Sequence, residues 1–465
     1  MDVLLAHGYF LAEDEHERRV MKPYPTLGLL YISSYLKAQG HAVGVFDATF
    51  QTLADFEARL RVERPRAVGL YTNLMTKFNV LKMMAASHAA GAKVILGGPE
   101  PAMYAEEYLA RDADVIVVGE GEHTMAELLS KGFEELPSIA GIIFRQPDGT
   151  VVRNPPRPYV KDLDALPFPD REAIDMDRYV AVWRENHGMG SVSLICARGC
   201  PFHCQWCSHA VYGNSHRRRS PANVLAELEM LLERYRPDQI WYADDVFTIH
   251  RKWFFQYAEL LIQRGIKVPF ECISRSDCLN EEVVQKLAQI GCYRLWLGSE
   301  SGSQRVLDAM RRDVKVEDVQ AKAKLLQRHG IQVGMFIMLG YEGETLPDIE
   351  ATTRHLKVSN PDVFLTTVAY PIKGTGYYKT VERRVLARVR WDGSTDRDLS
   401  VEGRYSPRFY SFATRWMVNA VELHREWRGP RRPVPLAKTL ANTLIGRAGM
   451  LVTQHERERS TGSRP

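Results

Sequence analysis

Cys200-Pro201-Phe202-His203-Cys204-Gln205-Trp206-Cys207 is the stretch on which the reading of this chain turns, because it sets three thiols within eight residues directly after a short apolar run. The spacing C-x3-C-x2-C wraps three corners of a cubic iron–sulfur cluster and leaves the fourth iron without a protein ligand. An open iron is a place for chemistry. Zinc is the rival metal, but structural zinc favours a closed tetrahedron of four N or S ligands, usually as two C-x2-C pairs. His203 or His209 could complete such a set.

The cysteines follow the first of a series of strand-like runs. From about Ser191 to Pro371 these are Val192 to Cys196, Gln239 to Tyr242, Phe270 to Ile273, Arg294 to Leu297, Val333 to Leu339 and Val363 to Val368. Helix-like stretches separate them, among them Asn223 to Tyr235, Lys252 to Arg264 and Val316 to Gly330. Six strands in one βα series predict a partial barrel of parallel strands, with its working end at their carboxyl ends.

Toward the amino terminus, short apolar runs again alternate with helical sequence, as in Asp2 to Ala6, Leu27 to Gln39, Ala42 to Phe46, Ala67 to Tyr71, Lys93 to Leu96 and Val115 to Val118. This pattern predicts a doubly wound, Rossmann-like parallel sheet over residues 1–138. Ligands bind such sheets beyond the strand ends. There the sequence places His7-Gly8, Asp47, Thr72-Asn73, Gly97-Gly98-Pro99-Glu100 and Gly119-Glu120-Gly121-Glu122. The glycines either let a large flat or phosphorylated ligand approach the backbone or make plain tight turns. No G-x-G-x-x-G opens a helix after the first strand, which disfavours a nicotinamide dinucleotide.

Between the two regions, residues 139–185 read as a hairpin and a proline-rich linker, carried by Gly141 to Phe144 with Asp148-Gly149 and then by Asn154 to Pro158 and Leu166 to Asp170. The barrel is assigned to residues 186–376. A helical, basic region follows over 377–465, with a disordered tail in its last dozen residues.

A chain of 465 residues exceeds one ordinary core, and 45% hydrophobic with 25% charged residues is the composition of a soluble globular protein. Seven cysteines make no disulfide framework, no apolar run reaches membrane-spanning length, and no basic leader precedes the first strand, so a cytoplasmic protein is expected. The net charge of +4 conceals roughly 17 Lys and Arg against about 9 Asp and Glu from Val381 onward. These cations lie in a tail rather than among aromatics on a sheet face, which argues against a nucleic-acid partner. The amphipathic Leu436 to Val452 could meet a membrane surface, but docking against the barrel is the expectation.

The cysteine stretch, with Trp206 as the aromatic residue of C-x3-C-x-aromatic-C, resembles the radical S-adenosylmethionine superfamily. The resemblance implies that Cys200, Cys204 and Cys207 hold a 4Fe-4S cluster whose open iron chelates S-adenosylmethionine and cleaves it to a 5′-deoxyadenosyl radical. Cys196 falls outside the spacing and reads as a strand residue. The resemblance runs along the barrel. Tyr242-Ala243-Asp244-Asp245-Val246-Phe247 is similar to the second-strand motif in which backbone and an acidic side chain meet the methionine amino group. Arg275 stands where the family contacts the methionine carboxylate. Ser299 and Glu300, within Gly298-Ser299-Glu300-Ser301-Gly302, match the ribose-binding motif, and Gly340, within Met338-Leu339-Gly340-Tyr341, matches the adenine segment. Each has a plainer reading: Asp244 and Asp245 as a cap or ion pair, and Arg275 paired with Asp277. Met310, Met335 and Met338 read as core, and Cys272, Cys278 and Cys292 as buried thiols.

Beside that barrel the first domain resembles the cobalamin-binding domain that precedes many such enzymes. The matching features are Pro23 to Ile32, Thr72, Asn73, Gly97, Gly98, Gly119, Glu120 and Gly121. The sequence lacks D-x-H-x-x-G, so no histidine is assigned as a lower cobalt ligand. The resemblance implies methylation of an unactivated carbon through cobalamin, or else radical cyclisation or rearrangement of a tetrapyrrole or lipid as in the anaerobic magnesium-protoporphyrin ester cyclases. A cofactor-binding sensor without turnover is the reading from another class. A reducing flavodoxin or ferredoxin is the expected protein partner, and the substrate is a small molecule, lipid or tetrapyrrole.

Overall fold

A computed structural model describes residues 1–387, 389–428 and 433–459, so the basic connection after Arg428 and the last residues of the expected disordered tail lie outside the described residues. By compactness the chain divides into two units. The first comprises Met1–Pro201, Ser208–Ala243 and Arg390–Thr395; the second comprises Phe202–Cys207, Asp244–Val389 and Asp396–Pro465.

The amino-terminal sheet holds β1 (Val3–His7), β2 (Val43–Phe46), β3 (Ala67–Tyr71), β4 (Lys93–Gly97), β5 (Val115–Val117), β6 (Ile142–Arg145) and β7 (Val151–Arg153). Their order is β2-β1-β3-β4-β5-β6-β7. The first five strands are parallel, and the chain reverses direction across the sheet between β1 and β3. The near-continuous apolar runs follow from burial on both faces. Leu4, Ala6, Val68, Leu70, Val94 and Leu96 pack on one side, while Val3, Leu5, Ala67, Ile95, Val115 and Val117 pack on the other. The expected hairpin exists, but it extends this sheet: Ile142, Ile143 and Phe144 pair antiparallel with β5 and cover its edge.

A second sheet follows, from β8 (Ser191–Leu194), β11 (Gln239–Tyr242), β12 (Phe270–Ser274), β13 (Cys292–Glu300), β14 (Gln332–Leu339) and β15 (Val363–Val368), in the order β15-β14-β13-β12-β11-β8. Consecutive strands are neighbours without a skip, as in a partial βα barrel. A short ribbon, β9 (Ala197–Arg198) with β10 (Arg217–Arg218), is antiparallel and brackets the cysteine stretch in sequence. The carboxyl-terminal region is mostly helical, built on Pro407–Arg428 and Pro433–Thr453. The described part of the expected disordered tail is ordered instead: Glu458 N–H donates to Arg404 O at 2.8 Å, and Gly403 N–H to Glu458 O at 2.9 Å. Backbone pairing supplies order there that residue composition does not announce.

Within the first unit the two α/β parts are joined through buried charge. Glu227, fully buried, accepts Arg171 Nη1 at 2.5 Å and also Arg219 Nη1, whose guanidinium reaches the Tyr31 hydroxyl at 3.3 Å. Removing one partner of a buried ion pair strands the other charge. Glu227→Gln is therefore expected to cost the first unit about 3 kcal/mol or more, measured by urea denaturation. Glu172→Gln, at the exposed Arg234 pair, should cost less than about 1 kcal/mol. Equal losses would contradict this account.

Candidate functional site

The cysteine turn of the second unit is stapled by backbone bonds. Gln205 N–H donates to Met310 O at 3.0 Å, Tyr377 N–H to Gln205 O at 2.8 Å, and Cys207 N–H to Cys204 O at 3.2 Å. The Trp206 indole donates to Tyr370 O at 3.1 Å and packs on a cluster that includes Met310, Met338 and Tyr377. Cys204 is buried and Cys207 exposed. Two guanidinium groups face the Cys204 sulfur, Arg312 Nη1 at 3.1 Å and Arg275 Nη1 at 3.8 Å. A hydrogen bond from the Cys207 thiol, reinforced by Arg312 and Arg275, lowers the Cys204 pKa to about 5 against the opposing effect of burial. Cys207, as the donor of that bond, is raised. The hydrogen bonds and guanidinium groups around Cys204 favour its thiolate, the form in which sulfur binds a metal. Among the described residues no three or more His, Cys, Asp or Glu side chains are already drawn together as a cation cage.

Arg275 makes the plainer of the two contacts read for it, the pair with Asp277. It pairs bidentately with Asp277, both bonds at 2.9 Å, while Nη2 also donates to Arg312 O at 2.7 Å and the guanidinium lies 3.7 Å over the Phe202 ring. Glu300 ends β13 in the left-handed region, φ +60°, just after a register shift against β14. Burial raises its pKa, partly offset by Arg312. The Ser299 side chain is on the opposite side of the strand, fully buried and hydrogen-bonded to His355 Nε2 at 2.8 Å, so its hydroxyl is already engaged with the helix Leu346–Ser359. Asp244 is buried and Asp245 exposed, after β11. Gly340 follows β14 with φ +75°. The turn at Gly340 is held by Glu344, which accepts the Gly340 N–H at 2.5 Å.

The first unit has its own cavity, of about 530 Å³, at the carboxyl ends of β3, β4 and β5. Gly97, Gly98, Gly119, Glu120 and Gly121 line it, together with Tyr24, Tyr212 and Trp241. Gly98 is required by geometry, since φ is +106° and a Cβ would stand 2.4 Å from Thr72 O. Thr72 and Asn73 do not line this cavity. The Thr72 amide is bonded to Gly97 O, and Asn73 Oδ1 accepts from the Met75 and Thr76 amides in a local turn. His7 and Asp47 meet each other instead, Nε2 to Oδ1 at 2.9 Å. Glu120 accepts Val160 N–H at 2.7 Å and both Arg198 and Arg217 at 2.8 Å, and Glu122 accepts Arg198 at 2.5 Å. The bare glycine backbone, aromatic walls and largely apolar surface fit part of a large, flat cofactor. Among the described residues no histidine lines the cavity.

Sequence reasoning missed Arg198, Arg312 and Glu344. Arg198, two residues before Cys200, and the run Arg217-Arg218-Arg219 flank the cysteine stretch, but nothing beside them in the sequence marks their buried carboxylate partners. Nothing local marks Arg312, which lies between two left-handed residues, Arg311 and Asp313, at φ +51° and +53°.

A doubly wound domain with a ligand cavity beyond its strands, followed by a βα barrel bearing a thiolate turn, defines an enzyme that works through bound cofactors. Residues 19–129 match the B12 binding domain, and residues 194–356 match the Radical SAM superfamily. An uncharacterized methyltransferase of Pyrococcus horikoshii is 29% identical over 380 residues, which is 79% of this chain and 81% of that protein. The anaerobic magnesium-protoporphyrin IX monomethyl ester cyclase of Rubrivivax gelatinosus is 29% identical over 73% of this chain and 63% of its own length. The solved structure of the cobalamin-dependent S-adenosylmethionine radical enzyme OxsB, with aqua-cobalamin and S-adenosylmethionine bound, shares the fold at a TM-score of 0.73 and 18% identity, covering 97% of this chain and 72% of that one. The chain belongs to the radical S-adenosylmethionine enzymes that carry a B12 binding domain, and its cofactors are a 4Fe-4S cluster, S-adenosylmethionine and cobalamin.

Burial pushes the Glu344 carboxyl up to about 8 from 4.5. A raised acid binds its proton more tightly in the folded chain, so its contribution is intact in acid and is lost as pH rises from about 4.5 toward 8. Glu344→Gln keeps an acceptor for Gly340 and stays neutral. Relative to wild type it should gain stability between about pH 5 and pH 8, at up to about 1.4 kcal/mol per pH unit. Urea denaturation across that range checks the slope, and a constant gap would refute it.

Proposed function

We propose that the chain is a methyltransferase that places a methyl group on an unactivated carbon of a small molecule, using reductive cleavage of S-adenosylmethionine together with cobalamin. The observation that carries this reading is the presence, in one chain, of a glycine-floored cavity beyond the first sheet and a guanidinium-flanked thiolate turn at the barrel. When bound, the cluster and S-adenosylmethionine would supply one-electron bond cleavage, and cobalamin a transferable methyl group.

In this reading Cys200, Cys204 and Cys207 hold the cluster. Arg275 and Arg312 fix the Cys204 sulfur by charge-assisted hydrogen bonds. Trp206, Asp244, Asp245, Glu300 and the Gly340 turn hold S-adenosylmethionine, and Ser299 contributes through its backbone because its hydroxyl is taken by His355. Gly97, Gly98, Gly119, Glu120 and Gly121 form the cobalamin floor, while Thr72 and Asn73 support it from behind through the Gly97 carbonyl and the next turn. A flavodoxin or ferredoxin supplies the electron. Radical cyclisation on a tetrapyrrole or lipid is the second reading, favoured by likeness to the Rubrivivax cyclase.

The test is anaerobic incubation of the reconstituted protein with dithionite, extracts of candidate small molecules and S-adenosylmethionine deuterated on its methyl group. The expected result is 5′-deoxyadenosine, absent in Cys204→Ala, with a product that carries the labelled methyl. Unlabelled oxidised product would select the cyclase reading. No 5′-deoxyadenosine from the fully loaded protein would overturn both.

A further inference from the structure

The helix Pro433–Thr453 is packed the wrong way round for a helix facing water. Small residues turn toward the preceding helix, Pro407–Arg428: a Cβ on Gly446 would stand 2.7 Å from the Trp416 amide nitrogen, and one on Gly449 2.3 Å from the Phe412 ring. Thr439, Met450 and Thr453 are buried on the same side. Large apolar side chains point outward. Leu440 is 46% exposed, Leu444 61%, Ile445 45%, Leu451 47% and Val452 76%. Helical spacing gathers them, with exposed Ala441 and Ala448, into one stripe along the helix. A contiguous apolar face of this kind marks an interaction surface.

Charge decides what covers it. The helix contains no Asp or Glu, and exposed Lys438 stands in one row with Ile445 and Val452, seven and fourteen residues on. Between Arg404 and Arg459 the sequence carries eleven Lys and Arg against four Glu and no Asp. A second copy would bring the same surplus and repel. An anionic lipid surface complements it and accepts the apolar stripe below its headgroups. No helix of the described residues is long and apolar enough to cross a membrane, so a helix lying in the interface plane is the form that fits.

We propose that this face docks the enzyme on a bilayer surface containing anionic phospholipid, whichever reaction the barrel runs. Flotation of the full chain with phosphatidylcholine vesicles, with and without one-third phosphatidylglycerol, tests it, with sedimentation equilibrium in parallel. Binding is expected to the anionic vesicles, weakened by added salt. It should fall about tenfold or more in Leu444→Glu/Leu451→Glu and measurably in Lys438→Glu, with unchanged circular dichroism and unchanged 5′-deoxyadenosine formation. Absence of flotation with anionic vesicles would overturn the proposal, as would equal flotation of the double variant. A lipid-free dimer that the double variant splits, with no flotation, would assign the face to a second copy and overturn it too.

Discussion

A buried guanidinium must find its carboxylate, and in the first unit that requirement fixes the path of the chain into the cysteine stretch. Arg198 lies two residues before Cys200 and is 5% exposed, a position that would be untenable without Glu120 and Glu122. Those two carboxylates sit at the start of the helix Gly121–Lys131, directly after the glycine turn that lines the cavity. Arg217, on the return strand of the ribbon, shares Glu120. Both ends of the ribbon are thereby tied to the loop that borders the cavity, and Tyr212, also on the cavity wall, packs its ring 5.7 Å from the same Arg198.

In the second unit the same principle acts on sulfur. Cys204 is held between Arg275 and Arg312, and each arginine is oriented by further bonds, Arg275 by Asp277 and the Arg312 carbonyl, Arg312 by Gly298 O at 2.6 Å. The cations therefore stay in place without flexible side-chain adjustment. Hydrogen bonds and charge near ligating sulfurs are among the levers that set a cluster's reduction potential.

Much of this was legible in the sequence, and the remainder was hidden for physical reasons. The strands of both sheets were readable because parallel strands buried on two faces give near-continuous apolar runs, as in Val3 to Ala6 and Val333 to Leu339. The thiolate turn and the glycine floor were readable because thiol spacing and Gly-Gly pairs are local signals. The direction of the Ser299 hydroxyl was not legible because a strand alternates its faces: the motif is at the strand end, and the hydroxyl is bonded to His355. Thr72 and Asn73 stand just beyond the end of β3, and the Asn73 side chain is engaged in the local turn. Arg198 and Arg312 were hidden because their partners, Glu122 and Cys204, lie 76 and 108 positions away in the chain. No local pattern records such a pairing.

Lys77 gives one more consequence. It is 1% exposed, its ammonium donates to Ser394 O at 2.8 Å, and it lies 3.9 Å over the Trp391 ring. Both partners come from Arg390–Thr395, the only part of the first unit contributed from beyond Ala243 among the described residues. As the chain leaves the ribosome, the amino-terminal sheet emerges hundreds of residues before the segment that shelters this cation. Until then the ammonium is faced by Glu100 at 3.7 Å and by the Tyr104 ring, both from the amino-terminal domain. The first unit thus takes its last segment from sequence beyond the barrel, and the packing of Lys77 against Trp391 and Ser394 forms only after residues 390–395 have been made.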